Sequence, residues 1–169
     1  MEKSITEVRR ISSNLRPNVL DDFGLVTALK LLCKEFEALH DIRTTFHLGD
    51  AAMGDVDPDI EIALFRIAQE ALSNIAKHAH ASSAAVHLVH RGRSLQLIVE
   101  DDGKGFNQQD ALRAKGSGHG FGFISMRERS ELLGGRFVID SACDKGTTIS
   151  ATIPVENTDS HEENSDTHR

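Results

Sequence analysis

Residues 57–79 read DPDIEIALFRIAQEALSNIAKHA, and the spacing of their apolar side chains decides how the rest of the chain must be arranged. Asp57 followed by Pro58 is a helix start: the aspartate can cap free backbone N–H groups, and the proline fits a first turn that needs no donor. At about 100° per residue, Leu64, Ala68, Ala71, Leu72, Ile75 and Ala79 gather on one side, which predicts a long helix to about residue 79 with that arc on a core. Glu70, Asn74 and Lys77, spaced by four and three, form a stripe on the other side. Ile67 lies nearer this polar stripe than an amphipathic helix wants, which implies that part of that face is covered. Taken alone, such a stripe reads first as a solvated helix face.

Outward from this helix the chain divides into short periodic segments. Ile5, Val8, Ile11 and Leu15 trace a short amphipathic helix that ends where Arg16 meets Pro17. After a turn RPNVLDD, in which Asp21 or Asp22 can cap, Leu25, Ala28, Leu29, Leu32, Phe36 and Leu39 predict a second helix. Residues 42–48 alternate as a strand, with Ile42, Thr44, Phe46 and Leu48 on one side. Beyond the central helix, residues 84–90 and 95–100 read as a hairpin about RGRS. Residues 101–122 hold six of the thirteen glycines and no sustained period, so they predict a long loop of a kind uncommon unless functional. A helix over 123–133 stops at Gly134 and Gly135, and strands over 136–141 and 147–154 complete the pattern. The polar end, 156–169, predicts a disordered acidic tail. Hairpins at both sheet segments, with helices interspersed, predict an α+β two-layer sandwich: a mixed β-sheet covered on one face by helices.

Composition narrows the function classes. With 169 residues the chain supports one core. A formal net charge of −7 argues against a nucleic-acid partner, whose phosphates need clustered Lys and Arg. No run approaches the roughly 20 apolar residues that cross a bilayer, and the start MEKSITEVRR lacks the apolar core of a signal peptide, so a cytoplasmic chain is expected. Cys33 and Cys143 stand far apart without a CxxC spacing and read as reduced thiols. His78 and His80, two apart, do not share a helix face, and His87 and His90 point to opposite sides of a strand, so structural zinc is not expected.

The chemistry concentrates where the strand LQLIVE runs into Asp101, Asp102, Gly103, Lys104, Gly105 and Phe106. A carboxylate at a strand end can accept a hydrogen bond from the exocyclic amine of adenine, where guanine would present an oxygen. Glycines beside it let backbone approach a base closely, although DDG is also an ordinary turn. Gly116, Gly118, Gly120 and Gly122 then lead into a helix, whose first N–H groups suit phosphate. The run is neither the GxxxxGK[ST] of a P-loop nor the GxGxxG of a dinucleotide fold.

In this order the motifs resemble those of the GHKL ATPases, the group that holds histidine kinases, gyrase and Hsp90. QEALSNIAKHA at 69–79 resembles the N box, DDGKGF at 101–106 the first glycine box, and GHGFGFISMRERSELLGG at 118–135 the second with its helix; DKGTTISATIP is similar to the last shared stretch. LRPNVLDDFGLVTALKLLCKEF at 15–36 resembles the segment joining the dimerisation helices to the ATPase domain in nitrate-sensor-like histidine kinases. The resemblance implies the Bergerat fold of histidine kinase ATPase domains. It also implies three segments: 1–16 as the remnant of a dimerisation helix, 17–155 as the ATP-binding catalytic domain, and 156–169 as the tail.

Carried over by position, the resemblance implies ATP and Mg²⁺ as cofactors, with Asn74 as the Mg²⁺ ligand and Glu70 as the catalytic residue that polarises the attacking group and can reach the metal through water. Lys77 and His78 would meet the phosphates and Asp101 would select adenine. Gly103, Gly105, Phe106, Gly120 and Gly122 would shape the pocket and its lid, and Thr147 would support the nucleotide. The implied activity is phosphorylation of a histidine on a dimerisation domain absent from these residues, for relay to a response regulator. Ala38–Asp41 read ALHD and imitate a phosphoacceptor box, but His40 follows the joining segment and directly precedes a strand, so it is not expected to be phosphorylated. The alternatives are a serine kinase or plain ATPase of the same fold, or a non-catalytic nucleotide-binding regulatory module. A chain with only a remnant of the paired helices is expected to be a monomer.

Overall fold

The computed structural model describes residues 18–49, 56–107 and 121–155. The expected helix over 5–15, Gly116, Gly118, His119, Gly120 and the tail lie outside the described residues. The elements run α1 (Asn18–His40), β1 (Arg43–Leu48), α2 (Pro58–Asn74) continuing as a π turn (Ile75–Ala79), β2 (Ser83–Arg91), β3 (Ser94–Asp101), α3 (Phe121–Leu132), β4 (Arg136–Ser141) and β5 (Thr147–Pro154). One five-stranded sheet has the order β1-β2-β3-β5-β4. β1 and β2 pair in parallel and the other neighbours are antiparallel, so the sheet is mixed as expected.

Alternation along the strands turns one face of the sheet inward. Ala84, Val86 and Leu88 of β2, Leu95, Leu97 and Val99 of β3, and Ile149, Ala151 and Ile153 of β5 are buried beneath the helices. α2 packs between α1 and α3 over this face and supplies Leu64, Ile67, Ala68, Ala71 and Leu72 to the same core. Ile67 is fully buried, so the face beside the polar stripe is indeed covered there. Asp57 caps the helix as expected, its carboxylate accepting the Asp59 N–H at 2.8 Å. α3 ends in a Schellman arrangement, with the Gly135 N–H on the Ser130 carbonyl at 2.8 Å and Gly134 at φ 68°.

Three local expectations change. The segment 18–23 is helical rather than a turn, and the break falls at Gly24, at φ 73°. The Leu25 N–H that opens the main run of α1 is met by the Glu61 carboxylate of α2 at 3.2 Å, instead of by Asp21 or Asp22. Leu39, expected in the core, is 68% exposed at the last turn of α1, where the His40 ring packs on Phe36 with centroids 4.8 Å apart. Cys33 is buried in the core, which pushes its thiol up to about 11, while Cys143 is exposed; neither is in a disulfide. No helix among the described residues is long and apolar enough to cross a membrane.

Candidate functional site

The ends of α2 and β3, the loop that follows β3, the first turn of α3 and the start of β5 converge on a cavity of about 290 Å³. Its walls are apolar through Ala71, Ile75, Val99, Phe106, Phe123 and Ile149, with Asn74, His78, Asp101, Lys104 and Thr147 as the polar groups. This is the composition of a small-ligand site at the low end of the usual size range, with room for the base end of a nucleotide.

The wide turn at the end of α2 sets the polar wall. A π turn closes its hydrogen bonds over five residues instead of four and is frequent at functional sites. His78, four residues beyond Asn74, shares the cavity wall with it, while Lys77 lies off that wall; both His78 and Lys77 are largely exposed. His80 then stops the helix at φ 53°. The Ala79 carbonyl, left without a helical partner, accepts the Lys104 N–H at 2.8 Å, which docks the loop after β3 on the helix end. A Cβ on Gly103 would overlap that carbonyl, so the approach requires glycine. On the far side, Asp144 N–H donates to the Lys104 carbonyl at 2.6 Å, and Gly105, at φ 55°, leaves no room for a Cβ against the Ala142 carbonyl. The loop is thus clamped between the helix and the β4–β5 turn.

Within that loop the two aspartates part company. Asp102 turns outward: its carboxylate accepts the Ser82 and Ser83 N–H groups at 2.8 and 2.9 Å and the Ser83 hydroxyl at 2.8 Å, and those bonds, Ser83 foremost, hold its carboxyl below the ordinary value. Asp101 lines the cavity. Burial raises its carboxyl above the ordinary value and the Asp102 charge acts in the same sense, while the N–H groups of Gly103, at 2.8 Å, and Thr147 oppose. A half-buried carboxylate with an oxygen toward a largely apolar cavity is suited to accept from a base amine.

Of the expected site residues, Asn74, His78, Asp101, Gly105, Phe106 and Thr147 share the wall, and Gly103 is buried behind it. Glu70 and Gly122 meet beside Asn74: a Cβ on Gly122 would overlap the Glu70 carboxylate and come within 3.2 Å of the Asn74 amide. Sequence reasoning passed over Lys104, Phe123 and Ser141. The rings of Phe106 and Phe123 lie 5.6 Å apart, tilted by 32°, and close one side. Phe123, directly after the glycine run, was open to notice as an aromatic lead into the helix; for Ser141 no sequence signal existed.

Residues 59–157 match the family of histidine kinase-, DNA gyrase B- and HSP90-like ATPases. The chain is 41% identical over 157 residues to the signal transduction histidine-protein kinase/phosphatase DegS of Brevibacillus brevis, an overlap of 92% of this chain and 39% of that protein. It is 35% identical over 155 residues to the oxygen sensor histidine kinase NreB of Staphylococcus carnosus, covering 92% of this chain and 43% of the relative. The chain therefore spans less than half the length of these relatives. Among solved structures, the histidine kinase domain of the blue-light activated histidine kinase of Erythrobacter litoralis superimposes with a TM-score of 0.61 at 22% identity, over 78% of this chain and 61% of that one, a likeness of fold.

Proposed function

The chain belongs to the family of histidine kinase-, DNA gyrase B- and HSP90-like ATPases, and from that premise we propose that it is the ATP-binding catalytic domain of a cytoplasmic sensor histidine kinase. It would bind Mg-ATP, pass the γ-phosphoryl group to a histidine on a dimerisation domain, and so feed a response regulator. The observation that carries the reading is the convergence of Asn74, Asp101 and Thr147 on one largely apolar cavity closed by Phe106 and Phe123. The same residues fit an adenine nucleotide: a carboxylate for the amine, aromatic and aliphatic walls for the ring, and an amide at the end where Glu70 and the start of α3 meet.

The donor set there also suits magnesium. Mg²⁺ takes few protein oxygens and completes its shell with phosphates and water, and the Glu70 carboxylate and the Asn74 side-chain amide, whose oxygen would be the ligand atom, both come to one place beside Gly122. When bound, the ion would neutralise charge on the phosphates, the main requirement of phosphoryl transfer. Asn74 would hold it and Glu70 would orient the attacking group. His78, and Lys104 from the loop, lie on the wall where phosphate charge can be met; Lys77, off that wall, would reach phosphate from outside it. The chain by itself is proposed to be monomeric.

The test is to incubate the chain with Mg-ATP and a separate fragment bearing the dimerisation helices and to look for acid-labile phosphate on that fragment. Transfer is expected, and Asn74→Ala should weaken magnesium-dependent ATP binding by about 100-fold, the upper range seen when metal support is removed. Tight binding without transfer would instead point to a regulatory nucleotide-binding module.

A further inference from the structure

Ser141, the last residue of β4, stands behind the cavity wall and has a complete set of partners. Its hydroxyl oxygen lies 3.0 Å from the Phe106 N–H, 3.0 Å from the Gly146 carbonyl and 3.0 Å from the Thr147 hydroxyl. A serine hydroxyl has one proton to give and two lone pairs to receive. The Phe106 N–H can only donate and the Gly146 carbonyl can only accept. The serine proton therefore goes to Gly146, one lone pair takes Phe106, and the remaining lone pair must take the Thr147 proton. Thr147 has then spent its only donor backward, and toward the cavity it offers lone pairs alone.

We propose that Ser141 is a positioning residue for base selection: by taking the Thr147 proton it fixes that hydroxyl as an acceptor beside the Asp101 carboxylate, so that the rim accepts a purine carrying a 6-amino group and rejects one carrying a 6-oxo group. This deepens the reading of the cavity as an adenine site and rests on it. A 6-amino group has two N–H bonds, one for each of two acceptors side by side, whereas a 6-oxo group turns lone pairs toward them and its purine offers only the single N1–H in exchange, a mismatch that discriminates more strongly than the gain or loss of apolar contact. The Phe106 N–H bond couples the same hydroxyl to the loop that carries Asp101, so one side chain orients both halves of the rim.

The experiment measures dissociation constants of Mg-ATP and Mg-ITP, which differ in the 6-position group, by calorimetry on the full chain and its variants. Ser141→Ala frees Thr147 to turn its proton into the cavity, and the ATP-over-ITP preference should fall about tenfold, the worth of one well-made hydrogen bond. Thr147→Val should produce the same loss, the double variant no further loss, and Ser141→Thr should restore the preference. Ser141→Cys, of similar volume but a poor hydrogen-bonding group, is read in the same way should the alanine variant not hold its fold. Equal weakening of both nucleotides in Ser141→Ala and Ser141→Cys, or additive losses in the double variant, would overturn the proposal while leaving the adenine reading intact. A wild-type chain without preference, or an Asp101→Asn variant that keeps it, would overturn the adenine reading and the proposal together.

Discussion

The two ends of the central helix are built on different terms. Its α-helical body, Pro58–Asn74, buries Ala63, Leu64, Phe65, Ile67, Ala68, Ala71 and Leu72, whereas its π end, Ile75–Ala79, buries only Ile75 and holds its turn against a loop. The body is held by the hydrophobic effect acting on a period of 3.6 residues, which is non-directional and grows with area. The end is docked on the loop by a directed hydrogen bond, from the Lys104 N–H to the Ala79 carbonyl, and by a close approach that only Gly103 permits. Much of the burial thus lies toward the start of the element and the site toward its finish, from Glu70, Ala71 and Asn74 in the last turns of the body to His78 in the π end, so a change early in the helix can leave the site untouched.

The largest effect expected from breaking this division is on the body. Leu64→Ala removes a fully buried side chain, and urea unfolding should show a loss of about 2–5 kcal/mol, with the ATP dissociation constant of the folded fraction changed by less than about twofold. Gly103→Ala strikes the end. The added methyl must displace the Ala79 carbonyl, so a smaller loss of about 1–3 kcal/mol should accompany a clear drop in ATP affinity. If both variants lost stability and affinity in the same proportion, body and end would be one cooperative unit and the comparison would fail.

The smallest effects sharpen it within the loop, through pH. Burial raises the folded carboxyl of Asp101 above 3.8, so the folded state holds its proton longer and stability falls as pH rises from near 3.8 through the raised value. Asp101→Asn should remove that fall. For Asp102 the sign reverses: its hydrogen bonds hold the folded carboxyl below 3.8, so the stability it adds is present above that pH and is lost as pH drops through the lowered value. Asp102→Asn should therefore cost stability at neutral pH, by a fraction of a kcal/mol because water screens an exposed carboxylate. Denaturation curves at several pH values distinguish the two; parallel profiles would contradict opposite roles for these neighbours.

Much of this architecture was open to reading from residue order. The Asp57–Pro58 start, the arc from Leu64 to Ala79, the hairpin at Gly92 and the stop at Gly134–Gly135 are local signals, and each element they predict is present in the fold. For Asp101 the residue order offered a carboxylate at a strand end beside glycines, a pattern shared with an ordinary turn, and for Thr147 only the resemblance of the last strand to the family pointed to it. The π turn was not legible, since a uniform step of about 100° assumes an α-helix throughout, and the Ala79 carbonyl at its end meets a loop more than twenty residues on. The cap on Leu25 was misread for a similar reason: Glu61 lies 36 residues away and reaches it only once α1 and α2 pack.

By itself the sequence determined which segments are helix and strand, which faces are apolar, and which motifs stand in what order, because these follow from periods and turn residues acting over a few positions. Only the tertiary structure decided which polar groups share a cavity, which of two adjacent aspartates faces it, and that Ser141 stands behind Thr147. Hydrogen bonds are directional and reach about 3 Å, so their partners are set by how distant segments pack and leave no trace in spacing along the chain.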